Sequence, residues 1–444
     1  MHRSAALSLS VAALLFFALP VSAFAQTPDI GRGQGAASGR KGGDGKGEQQ
    51  RPRKSEGAKR DPRDAARNER ARKDFELVQK NPLHFYIAKG DADICGAGCD
   101  TWIAAEGAFD LHAANRFRAF VEKSGHRGLP VYFHSQGGSL AEAIKVGRIM
   151  RAREMVAGVG RTVPAGCDPA REKDEACEAI KRQGRVLTAD LRSTRTVCNS
   201  ACVFALIGAV ERRVPPGARL GVHAALGART DADGNVTARD DAELAPLFER
   251  VRQYVVKMGI DTRLFDAAAE IPHERLRYLS RDEIAQFGID PRPFQESRWT
   301  IDEGPPGPYA VLKYVSEATG RDGKEYRTRL LRLNCGKADL LRVQFSRELS
   351  SRDGGVSVPI SLIGAGGELV FPAQRGKPVA GYNGVSIDDR MMWARAQFFD
   401  AAVSGETIDI VETADQPAAQ RPKVTTISTR GLAASLSLLR RHCP

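Results

Sequence analysis

The sequence has little that would tie it to a membrane interior, a metal or a nucleic acid. After the first 25 residues no segment is apolar enough to cross a bilayer, which excludes a helical polytopic membrane protein. Cys95 is the first cysteine, so none stands where a leader would carry a lipid. The eight cysteines contain no C-x-x-C pair and have no histidine cluster beside them, which speaks against zinc. No G-x-x-x-x-G-K-[ST] segment occurs, so the chain brings no nucleotide-hydrolysing loop of its own. Aromatic residues make up 7% of the chain and do not interleave with the basic ones, an arrangement that argues against nucleic-acid binding. Neither a cofactor nor a metal is expected.

What is present begins with a leader. His2 and Arg3 make a basic start, Ala5 to Val21 is almost wholly apolar, and Ala23-Phe24-Ala25 is a small-x-small cleavage site. Residues 1–25 are therefore predicted to be a cleaved signal peptide, and the mature protein periplasmic or secreted; an uncleaved anchor is the alternative. Residues 27–80 hold 15 Lys/Arg against 9 Asp/Glu, a large share of the net charge of +12. With almost no apolar periodicity before Phe75, residues 26–80 read as a disordered basic linker. The linker is either a solvated spacer or a tail touching anionic lipid or cell-wall polymer.

Export changes the reading of the cysteines, because an even number in an oxidising compartment suggests disulfides. Cys95 and Cys99 flank a Gly-Ala-Gly turn, and Cys167 and Cys177 bracket a charged loop; both are candidate local bridges. Cys335 continues the alternation of Leu331 and Leu333, while Cys443 continues the helical face of Leu432, Leu436 and Leu439, so these two can meet. Cys198 and Cys202 bond either each other or the 167–177 loop.

Residues 82–298 read as one α/β domain. Trp102–Gly107, Leu129–Phe133 and Met155–Val159 are strands, separated by helices from Asp110 as N-cap and from Leu140 to about Arg153, an order that predicts parallel pairing. The Leu111, Ala114, Phe117, Phe120 and Val121 positions form one face of the first helix. Residues 160–192 read as a charged insertion interrupting the sheet. The core resumes through Thr194–Cys198 into a helix over Ser200–Ala209, and Leu220–Val222 is a strand delivering His223. From 305 to 444 short strands rich in Val, Leu and Ile predict a small β-rich domain, closed by a helix with Ser428 or Thr429 as its N-cap.

The stretch Thr196-Val-Cys-Asn-Ser-Ala-Cys-Val-Phe-Ala205 supplies a serine where a strand runs into a helix. A serine hydroxyl needs a base within reach and donors for the oxyanion that forms on attack. The turn Ser135-Gln-Gly-Gly-Ser139 can aim backbone N–H groups, and His223, 23 positions after Ser200, can take the proton. Taken singly, a serine at a helix start is ordinarily a cap and a lone histidine ordinarily a bonded structural residue. His134 beside the glycine turn reads as a supporting or solvated group.

Together these segments resemble the ClpP/crotonase superfamily, in particular its Clp protease-like members, over roughly Trp102 to Asp290. Tyr132-Phe-His-Ser-Gln-Gly-Gly-Ser139 is similar to the family's oxyanion turn, with Gln136 where proline is usual. Asn199-Ser-Ala-Cys202 is similar to its nucleophile turn, Gly221-Val-His223 to the strand carrying its base, and Tyr278-Leu-Ser to its last helical signature. The resemblance implies a spiral of βαβ units, Ser200 as nucleophile, His223 as general base, and the amides of Gly138 and Ala201 as oxyanion donors. It further implies a peptide or protein substrate, ATP-independent acyl-enzyme chemistry, and a homo-oligomer. The family's aspartate position is Leu276 here. Glu274 or Glu270 then supplies the acid, or the site works as a dyad, or the chain is an inactive scaffold or binding protein of the cell envelope. A thioester enzyme of the crotonase type is a third reading, remote because coenzyme A thioesters are not expected outside the cytoplasm.

Overall fold

The computed structural model describes residues 62–444 except 124–125, 127, 168–173, 231–234, 303–308, 320–322, 324, 338, 350–357, 374–378, 381–385, 414–421 and 444. The expected signal peptide and most of the basic linker lie outside the described residues. Everything described lies in one compact unit, Arg60–Pro444.

Helix α1 (Pro62–Lys80) corrects the disorder expected through residue 80. It is rich in good helix formers, and Pro62 sits at the first helical position, where a missing N–H costs nothing. Polar contacts hold it in place of an apolar stripe. Arg67 Nη2 donates to the Arg239 carbonyl (2.9 Å), and Asn68 Oδ1 accepts from the Ala238 amide (2.8 Å).

The first sheet contains β1 (His84–Lys89), β2 (Thr101–Glu106), β3 (Val131–His134), β4 (Val156–Val159), β5 (Arg161–Pro164) and β6 (Leu187–Arg192). Helix α2 (Ala113–Glu122) links β2 to β3, and α3 (Leu140–Ala152) links β3 to β4. Helix α4 (Glu175–Lys181) lies between β5 and β6; then come β7 (Val197–Asn199), α5 (Ala201–Leu206) and β8 (Glu211–Arg213). The sheet order is β5-β6-β1-β2-β3-β4-β8, with β2, β3, β4 and β8 parallel, as the strand–helix alternation predicts. The stretch 160–192 does not interrupt this sheet but extends it. β6 pairs with β1 and β5 with β6, and Lys181 of α4 makes a buried ion pair with Glu106 of β2 (2.8 Å). Helix α2 begins two residues later than expected. Asp110 accepts from the His112 amide (2.9 Å) and pairs with Arg116, so it shapes the entry turn without capping, and Leu111 is left half exposed. Phe117, Val121, Val146, Met150, Val203 and Leu206 cover Ile103, Phe133 and Val159 in one core. Each such side chain contributes about 1.5–3 kcal/mol on burial.

A second, smaller sheet carries the site. It is formed by β7, β9 (Arg219–Val222) and a short strand further on. Between them come the hairpin β10 (Ala228–Thr230) and β11 (Val236–Ala238), helix α6 (Asp241–Lys257), helix α7 (Arg263–Ala269), and then β12 (Arg277–Tyr278), which pairs with β9. Helix α8 (Arg281–Gln286) follows, with a Ser280–Glu283 capping box.

The remaining chain is β-rich, but its principal strands are long where short ones are expected. After β13 (Phe294–Glu296) and β14 (Thr300–Asp302) come β15 (Ala310–Thr319), β16 (Glu325–Cys335) and β17 (Leu340–Leu349). Then follow β18 (Ile360–Gly364), β19 (Gly367–Phe371), β20 (Val379–Ala380), β21 (Ser386–Arg395), α9 (Ala396–Ser404), β22 (Thr407–Glu412), β23 (Lys423–Ser428) and α10 (Leu432–His442). β13 and β14 already pair with β15, so this part starts at residue 294 and not at 305. Two antiparallel sheets, β13-β15-β16-β17-β21-β20 and β19-β18-β22-β23, share one apolar core with α9 and α10. The cap of α10 is Gly431 at φ +84°, while Ser428 ends β23. Cys335 and Cys443 are bonded, as are Cys95 with Cys99 and Cys167 with Cys177. The described residues thus form a mixed α/β chain with two large apolar cores and a smaller third around Tyr86, Trp102, Tyr132 and Leu187, and no helix among them is long and apolar enough to cross a membrane.

Candidate functional site

The site forms where the turn after β3 meets the turn after β7. The Ser135 amide donates to the Val197 carbonyl (2.9 Å) and the Asn199 amide to the Ser135 carbonyl (3.0 Å), which stitches the two turns together. Asn199 Nδ2 also donates to Gln136 Oε1 (2.8 Å), a contact that proline at 136 could not make. His134 is structural here: its Nδ1 faces Thr196 Oγ1 and the Val197 amide, both at 3.3 Å.

Gly137 and Gly138 are required by space as well as by conformation. Both have positive φ, +107° and +127°. A Cβ on Gly137 would lie 2.8 Å from Ser200 Cβ and 2.9 Å from the Asn199 carbonyl oxygen. One on Gly138 would lie 2.7 Å from the Phe109 carbonyl oxygen. Ser139, at the end of the turn, caps α3 by accepting from the Glu142 amide (3.4 Å).

Ser200 is not an ordinary helix cap. Its backbone sits at φ 53°, ψ −121°, its side chain makes no capping bond, and its amide donates to the Gly221 carbonyl (2.7 Å). A non-glycine residue in this region costs about 1–3 kcal/mol and persists only where its surroundings enforce it. Its surroundings are close: Gly137 leaves no room for a side chain beside Ser200, and a Cys198–Cys202 disulfide (Cα–Cα 5.2 Å) straddles the turn. That disulfide is one of the two pairings the spacing allows. The amides of Gly138 and Ala201 donate to no acceptor among the described residues.

His223 follows β9. The parallel register of β7 on β9 sets Asn199 opposite Gly221, which brings Ser200 and the end of β9 to the same edge. No hydrogen bond joins Ser200 Oγ to His223 in this arrangement, and His223 Nδ1 is buried without a partner. Burial lowers the His223 imidazole below its ordinary value and the His273 ring lowers it further; the His273 carbonyl and Asp74 act the other way.

The expected acids do not reach this ring. Glu274 pairs with Arg70 of α1 at a half-exposed position, Glu270 is exposed, and Leu276 packs on Gly221. The group beside His223 is instead His273, with ring centroids 4.7 Å apart. His273 Nδ1 faces the Ala224 carbonyl (3.1 Å), and its Nε2 faces Asp74 Oδ2 (2.6 Å) on α1. The sequence offers no motif for His273. Asp74 could have been placed on a helix, because Pro62 and the helix formers after it mark α1.

Two cavities of about 400 and 360 Å³ lie between β5–β6 and the strands around β13 and β14, and neither is lined by Ser200 or His223.

No family model and no curated protein matches this sequence. Among solved structures, the chain is similar to a mutant of the 1510-N membrane-bound stomatin-specific protease, with TM-score 0.28, 10% identity, and 42% of this chain on 75% of that one. A ClpP1 mutant from Listeria monocytogenes gives TM-score 0.25, 14% identity, and 40% on 80%. The invasion associated protein b from Bartonella henselae gives 0.22, 14%, and 32% on 92%. These likenesses are too slight to carry an assignment.

Proposed function

We propose that this chain is an exported serine hydrolase of the Clp-like class, cleaving peptides or accessible proteins through an acyl-enzyme at Ser200. The strained Ser200 turn carries this reading, because such a conformation is maintained against its cost where a nucleophile must be presented. His223 is the general base. With Nδ1 enclosed, its Nε2 takes the hydroxyl proton as Oγ bonds to the substrate carbonyl carbon. The oxyanion is received by the free amides of Gly138 and Ala201 at the start of α5. Collapse expels the amine with the proton from His223, and water then releases the acid and regenerates Ser200. Four disulfides fit an oxidising compartment. A homo-oligomer is part of this reading, and a monomeric mass by light scattering would remove it.

The test is labelling of the oxidised protein with a fluorophosphonate. Labelling is expected in the wild type and absent in Ser200→Ala and His223→Ala. Equal labelling of Ser200→Ala would overturn the assignment. Because the base must be neutral and His223 is held below 6.5, the acid limb of the labelling rate should have its midpoint below pH 6.5. A midpoint above that value would point to another base. The competing reading is an inactive scaffold of the ClpP-like fold, favoured by the missing Ser200–His223 bond and by Leu276. A folded wild type that never labels would support it.

A further inference from the structure

We propose that Asp74 of α1, acting through His273, is the positioning acid of His223, so that the serine site is complete only while α1 is docked. This rests on the serine-hydrolase reading above. Three observations carry it.

The first is that His223 is framed by one segment on both sides. The Ala224 amide donates to the Ile271 carbonyl (2.8 Å), and Val222 pairs with Arg277 across β9 and β12. His273 stands in the middle of that frame, tilted 49° against the His223 ring. The second is that His273 is fixed at both nitrogens, by the backbone of the residue after His223 and by the Asp74 carboxylate. An acid that orients the base's ring is what a serine site needs, and here the carboxylate fixes the imidazole that packs against His223 and does not bond to the base itself. The third is where α1 is fastened. Arg67 and Asn68 hold residues 238–239, Arg70 holds Glu274, and Asp74 holds His273. Each contact lies on a segment that leads away from or back to His223.

The Asp74–His273 contact is partly exposed, 45% and 22% for the two side chains, so its loss should act on the site far more than on the fold. Fluorophosphonate labelling rates across pH, with melting curves as a check on folding, test the proposal on the full oxidised chain. Asp74→Asn and His273→Gln should each slow labelling on the order of 10- to 100-fold, less than the ~10⁴-fold lost when a direct triad acid is replaced. The double variant should be no slower than the worse single one, since both remove one pathway. Asp74→Glu should recover part of the rate. Arg72→Ala, which breaks an exposed ion pair within α1 and none that fastens it, should stay within about twofold. In His273→Gln the acid limb should move to higher pH, because a neighbour that lowers His223 is gone.

Labelling of Asp74→Asn and His273→Gln at the wild-type rate overturns the proposal and leaves the hydrolase reading intact. Additive losses in the double variant overturn it as well. A wild type that does not label overturns the hydrolase reading and this proposal with it. If one single variant fails to fold, the other decides.

Discussion

Gly137→Ala is expected to slow fluorophosphonate labelling by at least ~100-fold, in the range lost when one oxyanion donor is removed. The added Cβ would lie 2.8 Å from Ser200 Cβ and 2.9 Å from the Asn199 carbonyl oxygen, neither of them the loose end of a flexible side chain. The collision must be relieved by moving the glycine turn, the nucleophile turn or both, so the defect falls on their mutual placement. Positive φ alone adds a cost that has nothing to do with the site, and Gly184→Ala isolates it. Gly184 has φ +70° with open space where an added methyl would sit. Gly184→Ala should lose stability of about 1 kcal/mol and keep its labelling rate. If Gly137→Ala labels like Gly184→Ala, the close approach of the two turns is not what makes Ser200 reactive.

The second large effect lies far from Ser200. Glu412 of β22 accepts from Arg329 Nε and Arg347 Nη1, both at 2.7 Å, and from Arg327 Nη1 at 3.3 Å, inside the β-rich core. Burial works against its charge, but Arg329 and Arg347 more than offset that and hold the carboxyl at about 2, from an ordinary 4.5. A depressed carboxylate stabilises the folded state above its unfolded pKa and stops doing so as pH falls through the folded one. The shift corresponds to about 3 kcal/mol, fully present above pH 4.5 and lost on the way down to pH 2. Glu412→Gln should therefore cost about 3 kcal/mol at pH 7, since it leaves buried guanidiniums short of a counter-charge. Guanidinium melts of wild type and variant should converge between pH 4.5 and 2. Parallel curves across that range would mean that the cluster is stabilised by packing and not by this charge.

The same cluster explains why part of the fold was hard to read. On β16 and β17 the inward positions run Arg329, Leu331, Leu333 and Leu341, Val343, Phe345, Arg347. An arginine at each inward end breaks the apolar alternation and makes an 11-residue and a 10-residue strand look short. Glu412, 83 positions from Arg329, makes those inward charges intelligible, together with Glu317 beside Arg329 (3.0 Å) and Asp388 beside Arg347 (3.3 Å). Lys181 misleads in the same way, since its partner Glu106 on β2 cannot be inferred from a charged stretch. By contrast the Ser200 turn, the glycine turn and His223 were legible, because each is specified by residues within a few positions of it. The group next to His223 was not legible: His273 and Asp74 are 199 positions apart and meet only because α1 folds back on the hairpin. Helix α1 itself left a local trace in Pro62 and its helix formers, outweighed by a composition that reads as linker.

The Cys335–Cys443 bridge makes truncation before residue 443 visible. It joins the end of β16 to the residue that terminates α10, 108 positions later. Among the described residues every cysteine is bonded. A copy that stops short of residue 443 is therefore chemically marked, because Cys335 is left as a lone thiol at the end of a strand that the last helix should cover. Copies cut before residue 443 can be counted with a thiol-reactive dye under native conditions, and those that keep Cys443 bonded to Cys335 stay dark there.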